Sequence, residues 1–534
     1  MSVLLTHDPD IYAGHDHRLS IDMQGLPPGT IPDIAARLEQ AFDAAYAPWR
    51  EIAHIMQRQP SAELAHMPTM STYASDFGVI LAWVRVIRDL ALSDKVTCVA
   101  CQDPWLYRAL SLLDGVTSQT APGLAAKRLR FFCRGVLARS KAAGRTLLAL
   151  IKTRAHRRCD VQANWILVYG HPDSNADGKD AYFGTLMHDI PGLQRLMHTD
   201  CSATFAATLA GDGRTRSLHA WGNIFTACRM PFARWRPDTS ALDPVTSWLV
   251  RRAAAIEGGG GSAAMTLWQI TCQRNWLKGT NPKTVAWPWE NHPWERDFVR
   301  GARLNGTVTC GYQHTVVGRH MYNQGADANL DGADSIPDTI LLNGPAYHDD
   351  LTARGIPAER LQIAGSHRIG AGSLPVYDPR GPVFLALSNS SSFARQMIDA
   401  TRPLAGATLP FIVKDHPLSP YPVTESDHFS HTRAPIAELP AIRALIYCTG
   451  TTGLEGLLSG VPTIRFIPDG GVALDILPRG LQPLSVSAAD LAGALQNLPE
   501  AANHAQTELF PPPDLAVWRR LLDDTHDNRA EVIT

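Results

Sequence analysis

The pattern of hydrophobic and polar positions divides the chain into a helical start and two series of alternating strands and helices. Apolar residues recur at helical spacing over residues 30–57 and 72–92. Short apolar runs, each followed by a helical stretch, then extend over residues 96–314, and a second such series extends over residues 338–467. Alternation of this kind predicts parallel strands joined by crossover helices.

Two consecutive series predict an α/β fold of two doubly wound, Rossmann-type lobes that face each other across a cleft. Ligands of such sheets bind beyond the C-terminal ends of the strands. We predict an N-terminal lobe over residues 1–345 and a C-terminal lobe over residues 346–534, which ends in a helix. The segment GGGGS at residues 258–262 separates two helical stretches and is predicted to be either a flexible loop or a sequence of artificial origin.

The composition is that of a globular protein. Its 534 residues are 45% hydrophobic and 19% charged, which excludes a disordered or collagen-like chain. Nine cysteines without a repeating spacing argue against a secreted disulfide scaffold, and Cys98 and Cys101 fall in an apolar run that predicts buried thiols. The N-terminus turns polar too early for a signal peptide, and no apolar run approaches the roughly 20 residues that span a bilayer. We therefore expect a cytoplasmic protein.

A basic segment at residues 124–158 departs from the near-neutral average, which is a net charge of −2. It holds eleven Lys or Arg residues and no Asp or Glu, interleaved with apolar residues such as Phe131, Phe132 and Leu137. A basic amphipathic helix suits an anionic membrane surface, where each charge contributes about 1 kcal/mol near the headgroups. We predict peripheral binding to the inner membrane. A solvated helical face and a nucleic-acid site are the alternatives, and the net charge disfavours nucleic acid.

Polar turns follow three apolar runs of the second series. A histidine at a strand end can donate to a phosphate oxygen, and small hydroxyl residues at a helix start expose backbone N–H groups to an anion. Three such turns at one sheet edge predict a nucleotide phosphate site, although each turn alone is also typical of an ordinary helix cap. The candidate donor-binding residues are Ser388, Asn389, Ser390, Lys414, His416, Pro417, Thr449, Thr451, Thr452 and Glu455.

Two of these turns carry a family resemblance. The sequences KDHP at residues 414–417 and TGTTGLEGLLSGVPTI at residues 449–464 resemble the donor half of GT-B glycosyltransferases of bacterial surface-polysaccharide pathways. They are particularly similar to capsular Kdo- and sialic-acid-type transferases, in which an HP motif and a Ser/Thr-rich motif hold a CMP-sugar. The CDP-glycerol polymerases share a related pair. The Gly-rich dinucleotide fingerprint and the P-loop are absent from the sequence, which disfavours a dehydrogenase or a kinase.

The first series contains a tryptophan-rich block, WPWENHPWE, at residues 287–295. Tryptophan faces can pack on a sugar, and a carboxylate buried among them has a raised pKa that suits proton transfer near neutral pH. This predicts a sugar platform with Glu290 as the catalytic carboxylate. The alternative is a tryptophan-rich core turn in which Glu290 caps the following helix.

His314, at the end of the run GTVTCGYQH, is the second catalytic candidate, because a histidine there can bind a phosphate or the acceptor; a structural histidine is the alternative. The loop at residues 171–186 holds three Asp residues, but their spacing does not match a calcium loop, so we predict acceptor binding and no metal site. The candidate acceptor-binding residues are Asp180, Tyr182, Trp289, His292 and Gln313.

Residues 160–470 also resemble a family of surface-carbohydrate biosynthesis proteins, through D-x-YFG-x-L, E-N-x-P-W-E and Y-Q-H. Together the resemblances imply a metal- and cofactor-independent glycosyltransferase that moves a Kdo or another nonulosonate unit from a CMP-sugar. The acceptor would be a lipid-linked sugar or an oligosaccharide of a capsule or lipopolysaccharide O-antigen, bound by the N-terminal lobe. A CDP-glycerol-type polyol-phosphate transferase and a non-catalytic sugar-nucleotide-binding scaffold are the alternatives.

Overall fold

The computed structural model describes residues 2–21, 29–158, 162–368, 375–416, 419–434, 436–439, 441–500 and 509–523. The named strands within these residues form three sheets of four, seven and six strands, and every strand pairing within the sheets is parallel. The predicted α/β fold with two doubly wound sheets is confirmed, and the N-terminal region adds a third sheet that the sequence pattern did not reveal.

The first sheet has the strand order β2-β3-β1-β4. Its strands are β1 (Val3–Thr6), β2 (Arg18–Ser20), β3 (Thr97–Ala100) and β4 (Val116–Ser118). The apolar faces of α2 to α4 cover the sheet and bury Trp49 and Trp83. Cys98 and Cys101 are buried, as predicted. The helices of this region are α1 (Pro9–Ala13), α2 (Ile34–Asp43), α3 (Tyr46–Gln57), α4 (Phe77–Ala91), α5 (Pro104–Leu110) and α6 (Leu124–Thr153).

The seven-stranded sheet has the order β11-β10-β9-β8-β5-β6-β7. Its strands are β5 (Trp165–Val168), β6 (Gln194–Met197), β7 (Thr215–Ser217), β8 (Thr284–Pro288), β9 (Val308–Gln313), β10 (Thr339–Leu342) and β11 (Leu361–Ile363). Its helices are α7 (Leu186–Asp189), α8 (Ala203–Leu209), α9 (Ile224–Arg229), α10 (Pro244–Gly258), α11 (Ser262–Thr280), α12 (Pro293–Leu304) and α13 (His348–Ala353). Numbered from β5, the order is that of a Rossmann sheet, and the strand order reverses between β5 and β8.

The six-stranded sheet has the order β14-β13-β12-β15-β16-β17, which is again the Rossmann order, with its reversal between β12 and β15. Its strands are β12 (Val383–Ala386), β13 (Phe411–Lys414), β14 (Phe429–Thr432), β15 (Ala444–Tyr447), β16 (Thr463–Phe466) and β17 (Leu484–Val486). The remaining helices are α14 (Ser391–Thr401), α15 (Thr452–Leu458), α16 (Leu491–Gln496) and α17 (Leu515–Leu522).

The chain passes from the seven-stranded to the six-stranded sheet between β11 and β12 and later returns. Trp518 of α17 packs on Tyr312 of β9, with 5.2 Å between the ring centroids. The last described helix therefore covers the seven-stranded sheet. The division into domains at residues 345 and 346 stays a prediction.

The basic segment forms one long helix, α6, as predicted from its pattern. Gly135 lies so close to the helix corner at residues 258–262 that an added Cβ would stand 2.0 Å from the Gly258 carbonyl oxygen. Arg134 also donates from Nε to the Gly259 carbonyl oxygen at 2.8 Å. The glycine segment is therefore a packed corner between α10 and α11, and its prediction as a flexible loop is wrong. In the described part of the chain, no helix is both long and apolar enough to cross a membrane.

A cluster of charged side chains joins all three sheets, and we call it the three-sheet ion cluster. It connects α2 with the segment after β9 and with β16. Arg465 of β16, which is 2% exposed, donates to Glu39 at 2.7 Å. Arg319 donates to Asp475 at 2.9 Å and also pairs with Glu39. Buried charges are stable only when they are paired in this way.

Candidate functional site

The reversal points of the two Rossmann sheets open toward a shared cleft. Glu290 follows β8 of the seven-stranded sheet, and Thr449 follows β15 of the six-stranded sheet. Tyr73, from the loop before α4, lies between them. Desolvation, followed by the charge of Glu290, raises the pKa of its phenol to about 12, and the nearby Thr449 side chain opposes that rise. Strand reversal is where doubly wound sheets bind ligands, so this cleft is the candidate site.

A cavity of about 400 Å³ occupies one side of this cleft, a volume in the usual range for a ligand site. Tyr73 and Asp76, directly before α4, and Glu257 of α10 contribute to its wall, and the six-stranded sheet contributes Asn389 and Thr449. Two of the predicted donor-binding residues therefore lie where the N-terminal and C-terminal parts of the chain meet.

Glu290 lies in a charged group with two histidines. Its carboxylate accepts from His292 Nε2 at 2.6 Å and lies 3.7 Å from His314 Nε2. Burial alone raises the pKa of Glu290, but the hydrogen bond and charge of His292, then His314 and Arg368, outweigh burial and hold the pKa at about 2. The predicted raised pKa is therefore wrong, because the carboxylate is hydrogen-bonded to His292 and lies near the Arg368 charge, rather than among aromatic side chains alone.

The two histidines respond in opposite directions. Burial opposes the charged form of both, but the Glu290 carboxylate outweighs burial at His292 and raises its pKa. At His314 burial prevails and lowers the pKa to about 4. At neutral pH the group therefore contains an ionised Glu290 and an uncharged His314.

The backbone explains how Glu290 and His292 meet. Asn291 between them has φ 56°, a left-handed conformation that asparagine tolerates better than most residues. Its side chain holds this turn by donating to the Asn323 carbonyl oxygen at 2.6 Å and to Asn329 Oδ1 at 3.0 Å. The turn places both neighbouring side chains at the same cleft.

Glu295, five residues beyond Glu290, is the carboxylate that shapes the turn. It is 1% exposed and accepts from Trp287 Nε1 at 2.9 Å and from the backbone N–H groups of Glu290, Asn291 and His292. It also closes the capping box of α12 with His292. The alternative prediction that Glu290 caps this helix is therefore wrong, since Glu295 does so.

The tryptophans of this block are core residues. Trp287 and Trp289 are 0% and 1% exposed, and both belong to the core around the seven-stranded sheet. A central strand is covered by helices on both faces, so side chains at its end are buried as well. Trp289 cannot present a face to a sugar, and its prediction as an acceptor-binding residue is wrong.

Asp180 has a structural role in its loop. It is 2% exposed, lies 3.7 Å from Arg195, and accepts from the backbone N–H groups of Tyr182 and Phe183. Its oxygens are engaged in holding the loop, so its prediction as an acceptor-binding residue is wrong. Tyr182 does lie at the cleft: its ring packs on His314 with 5.2 Å between centroids, and the Arg368 guanidinium lies 5.8 Å from the ring centroid.

Several buried polar atoms near Glu290 have no protein partner within the described residues. They are Gln313 Oε1, Tyr169 Oη and His198 Nε2. Tyr169 and His198 were missed from the sequence: Tyr169 directly follows the apolar run of β5, but His198 follows β6, whose first two residues are polar. Within the described residues, no group of three or more His, Cys, Asp or Glu residues is arranged to hold a metal.

The predicted donor-binding residues lie at the carboxyl edge of the six-stranded sheet, where register places the ends of β12, β13 and β15 side by side. Ser388 is buried and accepts from the Ser390 N–H at 3.2 Å. Lys414 lies near Glu455: burial raises the pKa of Glu455, and the lysine charge opposes that rise.

Thr449 donates to the Leu474 carbonyl oxygen at 3.0 Å, next to the cavity. Thr451 is exposed, and Thr452 is half-buried at the first residue of α15. His416 is half-buried and bridges to Ser419 along the backbone. Pro417 lies outside the described residues. The described members of the predicted set therefore lie along this edge, with Asn389 and Thr449 at its cavity side.

Comparisons with known proteins give only distant structural likenesses. No protein-family profile matches the chain, and no curated protein sequence matches it. The chain is similar to the lipopolysaccharide outer core galactosyltransferase WaaB in its apo form, at 11% identity over 68% of this chain and 96% of that chain, with a TM-score of 0.34. It is also similar to Anabaena Alr3699/HepE in complex with UDP, at 12% identity, 68% and 96% coverage and a TM-score of 0.32.

A third likeness is to UDP-GlcNAc 2-epimerase from Neisseria meningitidis bound to UDP-GlcNAc, at 8% identity over 64% of this chain and 95% of that chain, with a TM-score of 0.35. Identities and TM-scores this low carry no inference about activity or substrate.

Proposed function

We propose that this chain is a GT-B-type glycosyltransferase that transfers a sugar from a nucleotide donor without a metal ion. The observation that carries the proposal is the meeting of two Rossmann reversal points at one cleft. One brings an ionised Glu290 within 3.7 Å of an uncharged His314, and the other brings Asn389 and Thr449 beside a cavity of about 400 Å³. Sugar transfer from a nucleotide requires a group that accepts the acceptor's proton and, across the cleft, polar groups that bind the donor phosphate.

The chemistry sets a role for each group. The acceptor hydroxyl loses a proton as its oxygen bonds to the sugar carbon, and the bond from that carbon to the phosphate oxygen breaks with its electron pair on the phosphate. Uncharged His314 can accept the proton, and ionised Glu290, 3.7 Å away, stabilises the imidazolium that forms. Donors at the carboxyl edge of the six-stranded sheet, including Lys414 and His416, stabilise the departing phosphate.

The donor is proposed to be CMP-linked Kdo or another nonulosonate. This rests on the resemblance of residues 414–417 and 449–464 to the donor half of capsular Kdo- and sialic-acid-type transferases. The acceptor is proposed to be a lipid-linked sugar or an oligosaccharide of a capsule or O-antigen, reached at the inner membrane through the basic helix α6. Tyr182, His292 and Gln313 are the remaining acceptor-side candidates.

A nucleotide panel tests the donor. We expect CMP to raise Tm more than UDP or GDP, because a ligand that binds only the folded state stabilises it by about 2.7 kcal/mol at a hundred times its Kd. Stronger stabilisation by CDP, with turnover of CDP-glycerol, would identify the polyol-phosphate alternative. Nucleotide binding without turnover of any donor would identify the scaffold alternative, and no shift with any nucleotide would refute all three.

His416→Ala is expected to weaken nucleotide binding by about 1–3 kcal/mol, the usual cost of losing a charge-assisted hydrogen bond. Calorimetry with the nucleotide that raises Tm measures this. His428→Ala is the matched control, because His428 is exposed on the same sheet region. Unchanged affinity in the His416 variant would remove this residue from the phosphate site.

Turnover should depend on pH through His314. Burial lowers the pKa of His314 to about 4, so the imidazole stays uncharged and able to accept a proton throughout pH 6–8. Titration of His314 should therefore leave kcat/KM nearly constant over that range. At lower pH we expect kcat/KM to fall, because His314 becomes protonated. A fall centred near pH 6.5, the ordinary pKa of histidine, would show that another group controls turnover.

A further inference from the structure

The helix α6 exposes apolar side chains together with its basic ones. Leu137 is 73% exposed and Ile151 is 66% exposed, and Phe132 and Leu148 are also exposed. The helix is held to the protein by its opposite side, where Arg139 is 1% exposed. An exposed run of large apolar residues of this length is unusual on a surface that faces only water.

A second segment, distant in sequence, lies against the same helix. Residues 213–237 contain no Asp or Glu and five arginines: Arg214, Arg216, Arg229, Arg234 and Arg236. Arg139 of α6 donates from Nε to the Pro231 carbonyl oxygen at 3.0 Å, and Thr146 of α6 donates to Met230 Sδ at 3.4 Å. Met230 is fully buried, so the turn is fixed to α6 from beneath.

The aromatic residues that flank this buried anchor point outward. Phe225 is 84% exposed and Phe232 is 72% exposed. A phenyl ring left in water forgoes the favourable free energy that its burial would supply. Positive charge is also concentrated here: burial, then the charges of Arg236 and Arg128, lower the pKa of Arg234. The Arg234 guanidinium lies 5.6 Å from the ring centroid of Phe132, which joins the two segments.

We propose that α6 and residues 224–236 form one surface that binds an anionic lipid bilayer, with Phe225 and Phe232 inserted among the acyl chains and the arginines at the lipid phosphates. We call this surface the basic apolar face. It deepens the proposed function, on which it rests, by naming the structure that holds the enzyme at its lipid-linked acceptor. The combination of charge with exposed rings and aliphatic side chains favours lipid over nucleic acid, which offers no apolar layer to receive them.

The face is also connected to the cleft. The corner at residues 258–262 packs on Gly135 of α6, and Glu257, directly before it, lines the cavity. Glu257 accepts from the backbone N–H groups of His66 and Met67 at 2.8 and 2.9 Å. A bilayer bound to the basic apolar face would therefore be separated from the wall of the proposed donor cavity by one layer of helices.

Two cysteines allow a direct test on the full chain. Cys133 and Cys228 are exposed on this face, whereas the other six cysteines of the described residues are buried. Cys159 lies outside those residues and is replaced by serine. A polarity-sensitive fluorophore is attached at Cys228 in a Cys133→Ser background, and separately at Cys133 in a Cys228→Ser background. Vesicles of phosphatidylglycerol and phosphatidylcholine are then added, with pure phosphatidylcholine as the neutral comparison.

We expect a blue shift of the fluorophore at both positions with anionic vesicles, and loss of the shift at 1 M salt, where the screening length falls to about 3 Å. In the unlabelled chain, Phe225→Ser with Phe232→Ser should lower vesicle partitioning at least tenfold, as the loss of two buried rings requires. Leu304→Ser is the matched control: Leu304 is 92% exposed but lies at the end of α12, and its loss should leave partitioning unchanged.

Equal partitioning of the double phenylalanine variant and the parent chain would overturn insertion, and so would displacement of the bound vesicles by an equal charge of duplex RNA. Calorimetry of nucleotide binding without vesicles distinguishes a failure of the basic apolar face from a failure of the proposed function. Retained nucleotide binding with no vesicle binding refutes the face alone. Vesicle binding with no nucleotide binding supports the face and refutes the proposed function.

Discussion

Replacing Glu290 with glutamine should lower kcat about 10²–10⁴-fold while nucleotide affinity stays unchanged. The amide keeps the shape of the carboxylate but cannot stabilise an imidazolium on His314, 3.7 Å away. It also loses the charge that pairs with His292 at 2.6 Å. Steady-state turnover together with calorimetry of nucleotide binding checks both halves of the expectation.

The choice of control for this variant follows from the structure. Glu295, five residues further on, is not a suitable control, because it is buried and accepts hydrogen bonds from Trp287 and three backbone N–H groups. Glu295→Gln should destabilise the fold. Glu359, which is exposed, is the appropriate control. Near-normal turnover of the Glu290 variant would exclude it as a catalytic residue. Asp173 and Asp177, of the loop at residues 171–186, would then be tested, while Asp180 is structural.

Replacing Arg465 with methionine should lower the free energy of unfolding by about 3–5 kcal/mol, the usual cost of removing one partner of a buried ion pair. Arg465 is 2% exposed and donates to Glu39 at 2.7 Å. Its removal therefore leaves the buried Glu39 carboxylate with one cationic partner fewer. Chemical denaturation of the parent chain and of the Arg465 variant measures the effect.

Arg300→Met is the matched control, because it removes the same group from an exposed pair with Asp331. Exposed pairs contribute about 0–1 kcal/mol, so this variant should be nearly as stable as the parent chain. Equal losses in both variants would show that the three-sheet ion cluster contributes no more than a surface pair.

The periodicity of the sequence was sufficient for the two Rossmann sheets but not for the first sheet. Strands such as β12 and β15 are continuous apolar runs followed by polar turns, which is the local signature of a buried parallel strand. The strand β1 has only four residues, and its partner β3 begins at Thr97. Nothing local to Val3–Thr6 indicates a pairing across that separation.

At the site, the sequence located the right turns but did not assign the roles within them. Glu290 and Glu295 stand in similar surroundings in the sequence, and only the left-handed turn at Asn291 directs one to the cleft and the other to the helix cap. Trp289 was assigned to a surface because its aromatic character is visible in the sequence, whereas its 1% exposure depends on helices distant in the chain. The donor-side residues stay predictions.

The three-sheet ion cluster also has a kinetic consequence. Arg319 and Arg465 tie α2 to both Rossmann sheets, so a rigid-body rotation that opened the cleft widely would have to separate buried ion pairs. A penalty of about 5.5 kcal/mol would reduce the opened population by about 10⁴-fold. Donor entry and product release should therefore proceed through movements of short segments at the cleft mouth, such as the loop that carries Tyr73, and turnover should tolerate cross-linking of the two sheets.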